Sequence, residues 1–364
     1  MLHERTTTAF FHLLQAGLWE HEISVPDIFP LQELEWEIIY KQSVQQTVEG
    51  IIYDGIQHLQ SSERPPRQLL LKWLVRIEHI ERRNKAMNKA ISDQITFFTS
   101  FQITPILLKG QGIAQYYRNP LHRICGDIDW YFPTKDMYHK ANQLIQKKGL
   151  KMIFTAGYSS SYLWDKFDIE HHQDLFDIHN PFCTSFLKKL EKREQVNKIY
   201  KSLHDACVEI PAALINILQI NSHILKHLLS YGIGIRQLCD SATLYYKLQN
   251  EIDPIVLKEI YSKLRIDKWI DQLHHILVLY VGLPKQYLPY PLSDRPADWM
   301  MHDILLSGNF GFHDHRYQQA ELQNNGNRVQ ARSRLWHSFK TYLPYAPMEA
   351  ISFPIVQFIS RFSR

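Results

Sequence analysis

Two aspartates one residue apart, Asp127 and Asp129, sit in the run Cys125-Gly126-Asp127-Ile128-Asp129-Trp130-Tyr131-Phe132, which is otherwise apolar and aromatic. On a strand the side chains alternate. Asp127, Asp129 and Tyr131 then share one face, and Ile128, Trp130 and Phe132 share the other. The second set makes a core face. The first presents two carboxylates about 7 Å apart at their Cα atoms, able to bracket one divalent cation or two cations about 4 Å apart. Such oxygen ligands suit Mg²⁺, which binds one or two carboxylates together with substrate phosphates. On a helix the same spacing would turn the acids to nearly opposite sides. The pattern alone is common: Glu33/Glu35, Glu35/Glu37, Asp168/Glu170 and Glu251/Asp253 repeat it. An ordinary strand reaching the surface reads the same way, and context must separate the two.

Three neighbouring stretches supply that context. Upstream, Leu107-Leu108-Lys109-Gly110-Gln111-Gly112 is an apolar run ending in a glycine turn. If a helix follows, its backbone N–H groups can receive a phosphate, although a plain strand-to-helix turn looks the same. The spacing is neither a P-loop nor a dinucleotide fingerprint. Downstream, Phe176-Asp177-Ile178-His179 repeats the alternation: as a strand it puts Asp177 and His179 on one face. A carboxylate on a neighbouring strand could complete a metal triad or act as a base, and an edge-strand acid is the plain alternative. Farther on, His223, Lys226 and His227 lie at i, i+3 and i+4 on one helical face, and Arg236 and Asp240 at i, i+4. A basic group on a helix over the sheet can clamp phosphates, with Asp240 orienting Arg236. A surface pair worth a few tenths of a kcal/mol is the other reading. Arg118 and Arg123 precede the acids and can reach phosphate or neutralise them. Two histidine clusters, Glu170-His171-His172 and His313-Asp314-His315, match no zinc spacing and read as structural or substrate-facing.

The elements that must position these groups fall into three regions. Residues 1–98 read as helical, with one helix over 33–56 and a long amphipathic one after the Pro65-Pro66 break. Residues 99–183 read as an α/β core: strands at 103–108 and 126–132, a helix opened by Thr134 and closed by Gly149, then strands within 151–157, 162–173 and 175–181. Residues 184–364 read as mostly helical, with an irregular tail from about 285. The fold class expected is α+β, a small mixed sheet flanked by helical regions.

Composition bounds the rest. The chain has 364 residues, 45% hydrophobic and 21% charged, with 41 Lys plus Arg against 37 Asp plus Glu. A formal charge of +4 permits an anionic substrate without arguing for nucleic acid. The four cysteines are scattered with no CxxC, which fits a reducing compartment. The most apolar stretch, 211–235, carries Asn216, Asn221, His223, Lys226 and His227, which argues against a membrane span. A cytoplasmic protein is expected.

The motifs together resemble a known family. "PILLKGQGIAQYYRNPLHRICGDIDWYF" followed by "FDIHN" resembles the nucleotidyltransferases of the DNA polymerase β superfamily, in particular a bacterial uncharacterised branch with an LKG…R…GDiD…D-h-H pattern. "HILKHLLSYGIGIRQLCD" extends the likeness. The superfamily signature is a glycine turn, an acid-x-acid pair and a third acid on an adjacent strand; Gly110, Asp127/Asp129 and Asp177 follow in that order. The resemblance implies a polymerase β-like core and transfer of an NMP from an NTP to an acceptor hydroxyl, releasing pyrophosphate. It implies Mg²⁺, or Mn²⁺, on Asp127, Asp129 and Asp177, with Asp177 helping to deprotonate the acceptor. It implies a nucleotide held by Lys109, Gly110, Gln111, Arg123, Lys226, Arg236 and Asp240. The acceptor is left open among protein, RNA, sugar and small molecule. Gln111 stands where the superfamily often has glycine or serine, so a phosphate-binding hydroxyl is missing. A nucleotide-binding protein with weak catalysis and a metal-dependent phosphodiesterase are the alternative readings.

Overall fold

The computed structural model describes residues 2–23, 27–155, 159–194, 199–293, 296–316 and 332–360. Its amino-terminal part is built from α1 (Leu2–Trp19), α2 (Glu33–Gln45), α3 (Glu49–Ile56) and the long α4 (Arg67–Thr99). The expected single helix over 33–56 is broken at Thr47, whose φ of 55° leaves the helical region. The break lets α3 lie tightly on α1. A Cβ on Gly55 would stand 1.9 Å from the Leu13 carbonyl oxygen, and one on Gly17 2.0 Å from that of Ile51. Glycine is needed at both because backbone meets backbone. Helix α4 buries Trp73, Ile77, Ile80, Asn84, Met87, Ile91 and Phe98, a stripe at intervals of three, four and seven, and crosses behind the sheet.

The sheet begins with β1 (Ile106–Leu108), followed by α5 (Gly110–Ala114), β2 (Ile128–Tyr131) and α6 (Lys135–Lys147). Thr134 caps α6 by accepting from the Met137 N–H, and Gly149 ends the turn after it at φ 86°. Then come β3 (Ile153–Thr155), β4 (Ser159–Trp164), β5 (Phe167–His172), α7 (Thr184–Glu194), β6 (Ile199–Leu203) and β7 (Ala206–Ile210). Among the described residues the sheet has seven strands in the order β3-β4-β5-β2-β1-β7-β6. It is mixed: β2 runs antiparallel to β1 and parallel to β5, and β1 runs parallel to β7. The architecture is α+β, as the alternation of strand and helix predicts.

Three strand readings differ from this sheet. The stretch 162–173 is a hairpin half rather than one strand, turned at Asp165 with φ 54°. Residues 176–180 form no strand, because the His179 and Asn180 N–H groups bond to the Glu349 carboxylate at 2.8–3.1 Å instead of to a neighbouring strand. Strands β6 and β7 lie beyond residue 183, inside the stretch read as helical; their hairpin turns at His204 and Asp205 without glycine, so turn chemistry does not betray it. The end of the 151–157 reading lies outside the described residues.

Helices α8 (Ala213–Leu229), α9 (Ile235–Leu248), α10 (Pro254–Leu264), α11 (Asp267–Leu279) and α12 (Asp298–Ser307) follow, then α13 (Arg332–Tyr342) and α14 (Pro347–Ser360). One polar residue of α8 is used inside the helical layer: Asn221 donates to the hydroxyls of Tyr245 and Tyr261 and accepts from Ser241. Glu349, which holds the stretch after β5, comes from α14. No described helix is long and apolar enough to cross a membrane.

Candidate active site

The site lies on the sheet face opposite α4. On β2, Ile128 and Trp130 turn inward, and the Trp130 indole donates to Gln94 of α4 at 2.9 Å. The alternation thus leaves Asp129 on the other face. Register then decides its neighbours. Leu108 of β1 stands opposite Asp129 on one side and Glu170 of β5 on the other; His172 stands opposite Tyr131. Glu170 and His172 therefore share the Asp129 face.

Asp129 is 3% exposed, yet its carboxyl is held well below the usual range. Burial opposes ionisation, but the Lys109 ammonium, 3.1 Å from Oδ1, and the His172 ring, whose Nε2 is 2.7 Å from the same oxygen, outweigh it. Asp127 is half-buried. Burial, reinforced by the Asp129 charge, pushes its carboxyl up to about 6, with Lys109 acting in the opposite sense. The two acids of the pair are thus driven apart by their surroundings. The Lys109 ammonium loses hydration on burial, but the charges of Asp129, Asp177, Asp127 and Glu170 more than compensate and hold it protonated.

Lys109 sits in the turn from β1 into α5 with φ 47° and ψ −140°, and Gly110 follows at φ 34°. Left-handed backbone at Gly110 favours glycine; a Cβ there would also stand 3.4 Å from the Asp127 carbonyl oxygen. The turn therefore packs directly on the residue before β2. The Gln111 side chain points away from the acids, into the interface with α4, where its amide donates to Asn84 Oδ1 at 3.0 Å. Asn84 in turn donates to the carbonyls of Leu121 and Arg123 at 2.7 and 2.9 Å, and Arg83 to that of Gly126 at 2.8 Å. Helix α4 thus fixes the segment that delivers Asp127.

Asp177, in the irregular stretch after β5, is reached from α8. Lys226 Nζ lies 2.7 Å from Oδ1 and His223 Nδ1 2.8 Å from Oδ2. Burial works against its charge, but Lys226 and then His223 keep it well below the usual carboxylate range. Burial, with Lys109 adding to it, lowers the His223 ring to about 4. The His227 ring packs edge-on against His223 with centroids 4.3 Å apart. The face of α8 read from the sequence is therefore turned to the site.

Arg123 and Asp240 meet each other. Arg123 donates from Nε and a terminal nitrogen to both oxygens of Asp240, at 2.7 and 2.6 Å, and Tyr117 donates to the same carboxylate at 2.7 Å. Asp240 thus braces Arg123 rather than orienting Arg236. Arg236 donates to the Ile124 carbonyl, is 8% exposed, and has an Nε without a partner among the described residues. Arg118 is exposed and pairs with Glu20. His313 and Asp314 lie away from these acids: Asp314 binds Arg316 and Arg334 in the carboxy-terminal layer.

Glu170 and His172 are the site residues that motif reading passed over. A signal existed: Phe167-Asp168-Ile169-Glu170-His171-His172 alternates, with buried Phe167, Ile169 and His171 on one face. Ligand atoms of Asp129, Glu170 and His172 lie within 4.8 Å of one another. Two carboxylates, with Asp127 adjoining, fit a hard divalent cation, and one imidazole suits Mn²⁺ better than Mg²⁺.

An acidic sheet face can hold a divalent cation, and a glycine turn with a lysine beside it offers donors to an anion. The chain belongs to a family of uncharacterised nucleotidyltransferases, whose model matches residues 32–282. Among solved structures it is similar to an antigenic nucleotidyltransferase-like protein from Paracoccidioides brasiliensis, with 11% identity and a TM-score of 0.32 over 55% of this chain and 92% of that one. No curated protein matches the chain.

Proposed function

We propose that the protein is a divalent-metal-dependent nucleotidyltransferase of the polymerase β-like kind. It would move an NMP from an NTP to an acceptor hydroxyl and release pyrophosphate. The observation that carries this is the convergence of Asp127, Asp129 and Lys109 on one sheet face, beside the turn into α5. Asp127 and Asp129 would hold Mg²⁺ or Mn²⁺. Glu170 and His172, directly across from Asp129 and Tyr131, are better placed to share that cation than Asp177, both of whose oxygens are engaged by α8. Bound there, the cation would neutralise charge on the transferring phosphoryl group.

The remaining roles fall to the chain's own groups. Lys109 and the N–H groups after it would receive phosphate oxygens, and Gln111 would contribute through its backbone alone. Arg236, with an unused Nε, and Lys226 would face the leaving pyrophosphate. Asp177 would fix the His223 ring through Nδ1, leaving Nε2 to take the acceptor proton. Arg123 and Asp240 would hold the approach to Asp127 without touching nucleotide. The acceptor's oxygen would attack the α-phosphorus in line, so positioning and charge supply most of the rate.

The test is label transfer from each α-³²P-labelled NTP in cell lysate with Mg²⁺ or Mn²⁺. Transfer by the wild type that disappears in Asp127→Asn and in Asp129→Asn is expected. Absence of metal-dependent binding of any NTP by calorimetry would rule the reading out.

A further inference from the structure

Lys109 occupies an unusual position for a phosphate ligand. Its side chain is 14% exposed and its ammonium lies 3.1 Å from Asp129 Oδ1, the carboxylate most central to the candidate cation site. The charges of Asp177, Asp127 and Glu170 also favour its protonated form. It therefore sits on the acid that the candidate cation cluster of Asp129, Glu170 and His172 shares, where a divalent cation would compete with it. Two cations on one Asp129 oxygen repel each other in a buried setting unless further negative charge, such as a phosphate, offsets them. Lysine is suited to leaving: its charge is a point on a flexible four-carbon stem, unlike the fixed fork of arginine. The backbone that carries it is a turn at positive φ, adjoining the N–H groups that open α5.

We propose that Lys109 is a resident counter-cation of the candidate metal site. It neutralises the acids while the site is empty and must move off Asp129 for metal to bind, with the triphosphate of an incoming nucleotide as its new anionic partner. This rests on the nucleotidyltransferase reading above and deepens it. The consequence is coupling. Metal alone competes with the lysine and binds weakly. Metal with nucleotide binds well, because the phosphate draws the ammonium away. By linkage the nucleotide likewise needs metal. The site thereby avoids holding an activated metal before its nucleotide arrives.

The proposal fixes the sign of a substitution effect. Lys109→Met keeps the aliphatic stem and removes the competing charge. It should bind Mn²⁺ at least tenfold more tightly than the wild type when no nucleotide is present, although it removes a group from the site. An α,β-non-hydrolysable NTP analogue should raise the wild type's Mn²⁺ affinity tenfold or more, within the range typical of coupled sites, and that of Lys109→Met by a clearly smaller factor, the part that direct phosphate ligation supplies. Lys109→Arg keeps the charge and should bind Mn²⁺ alone no better than the wild type.

The measurement is free Mn²⁺ by electron paramagnetic resonance, corrected by a protein-free titration of the same analogue. Melting temperature with and without Mn²⁺ is followed in parallel, and Lys109→Gln serves as a second neutral variant should the methionine form fold poorly. A larger Mn²⁺-dependent rise in melting temperature in the neutral variants supports the proposal. Mn²⁺ affinity in both neutral variants equal to or below wild type, while the wild type still binds Mn²⁺ with nucleotide, overturns the counter-cation role and leaves the nucleotidyltransferase reading standing. Failure of every form to bind Mn²⁺ with any analogue overturns both.

Discussion

The Arg123–Asp240 pair separates a structural brace from a nucleotide ligand. The two side chains are each 4% exposed and joined by two hydrogen bonds, with Tyr117 on the same carboxylate. Breaking a buried pair by removing one partner leaves an uncompensated charge and costs about 3–5 kcal/mol. Arg123→Met should therefore lower unfolding free energy by about that much, and Asp240→Leu by a similar amount. Replacing both, as Arg123→Met with Asp240→Leu, removes the stranded charge. The double variant should recover about 2–3 kcal/mol relative to the sum of the single effects. Urea unfolding of the four proteins closes the cycle. The companion measurement is nucleotide binding at low urea, where every variant remains folded. A brace predicts near-normal nucleotide affinity in the double variant, because the segment 119–127 is again held by packing and by Asn84. If Arg123→Met changed stability by under about 0.5 kcal/mol while abolishing nucleotide binding, the brace would be refuted and Arg123 restored as a phosphate ligand.

Three further outcomes are expected. Gly55→Ala should cost about 3 kcal/mol or more, read by thermal or urea unfolding, because its new Cβ would stand 1.9 Å from the Leu13 carbonyl oxygen and the two helices must separate; a change near zero would mean that the α1–α3 approach is looser. Glu170→Gln should weaken Mn²⁺ binding in the presence of nucleotide about tenfold, whereas Asp168→Asn, exposed two residues earlier on the same face and outside the Asp129–Glu170–His172 cluster, should leave it unchanged; equal effects would deny Glu170 a ligand role. Glu349→Gln should cost about 1–3 kcal/mol, read by urea unfolding, since its buried carboxylate accepts from the His179 and Asn180 N–H groups; a change near zero would mean that the stretch carrying Asp177 is held by other contacts.

What the sequence reveals here is what local periodicity encodes. The faces of β2 are legible because alternation over eight residues needs no knowledge of partners, and the Thr134 cap and the Gly149 stop are equally local. Pairings set by register and by distant chain are not. Asp168/Glu170 looks like any acid-x-acid pattern until the parallel pairing of β5 with β2 puts Glu170 opposite Asp129. Arg123 and Asp240 are 117 residues apart, and no spacing rule joins them. Asp177 is brought to the site without a strand, by Lys226 and His223 on one side of the stretch and Glu349 on the other.

Gln111 shows how a departure from a motif can carry a structural reason. Where a serine or glycine would leave the turn free beside phosphate, the glutamine amide is buried against Asn84. Asn84 uses its amide fully: the oxygen accepts from Gln111, and the nitrogen donates to the carbonyls of Leu121 and Arg123. The glycine turn and the segment that delivers Asp127 are thereby fastened to one side chain of α4. An Asn84 amide satisfied in this way fixes geometry on both sides of it, although the Gln111 Oε1 has no partner among the described residues. Transfer chemistry depends on holding the phosphate turn and the carboxylate pair at a constant separation. On the proposed function the glutamine would forgo a hydroxyl beside the phosphate, while the turn is locked to the acids from behind, through the same helix that receives Trp130 on the core face of β2.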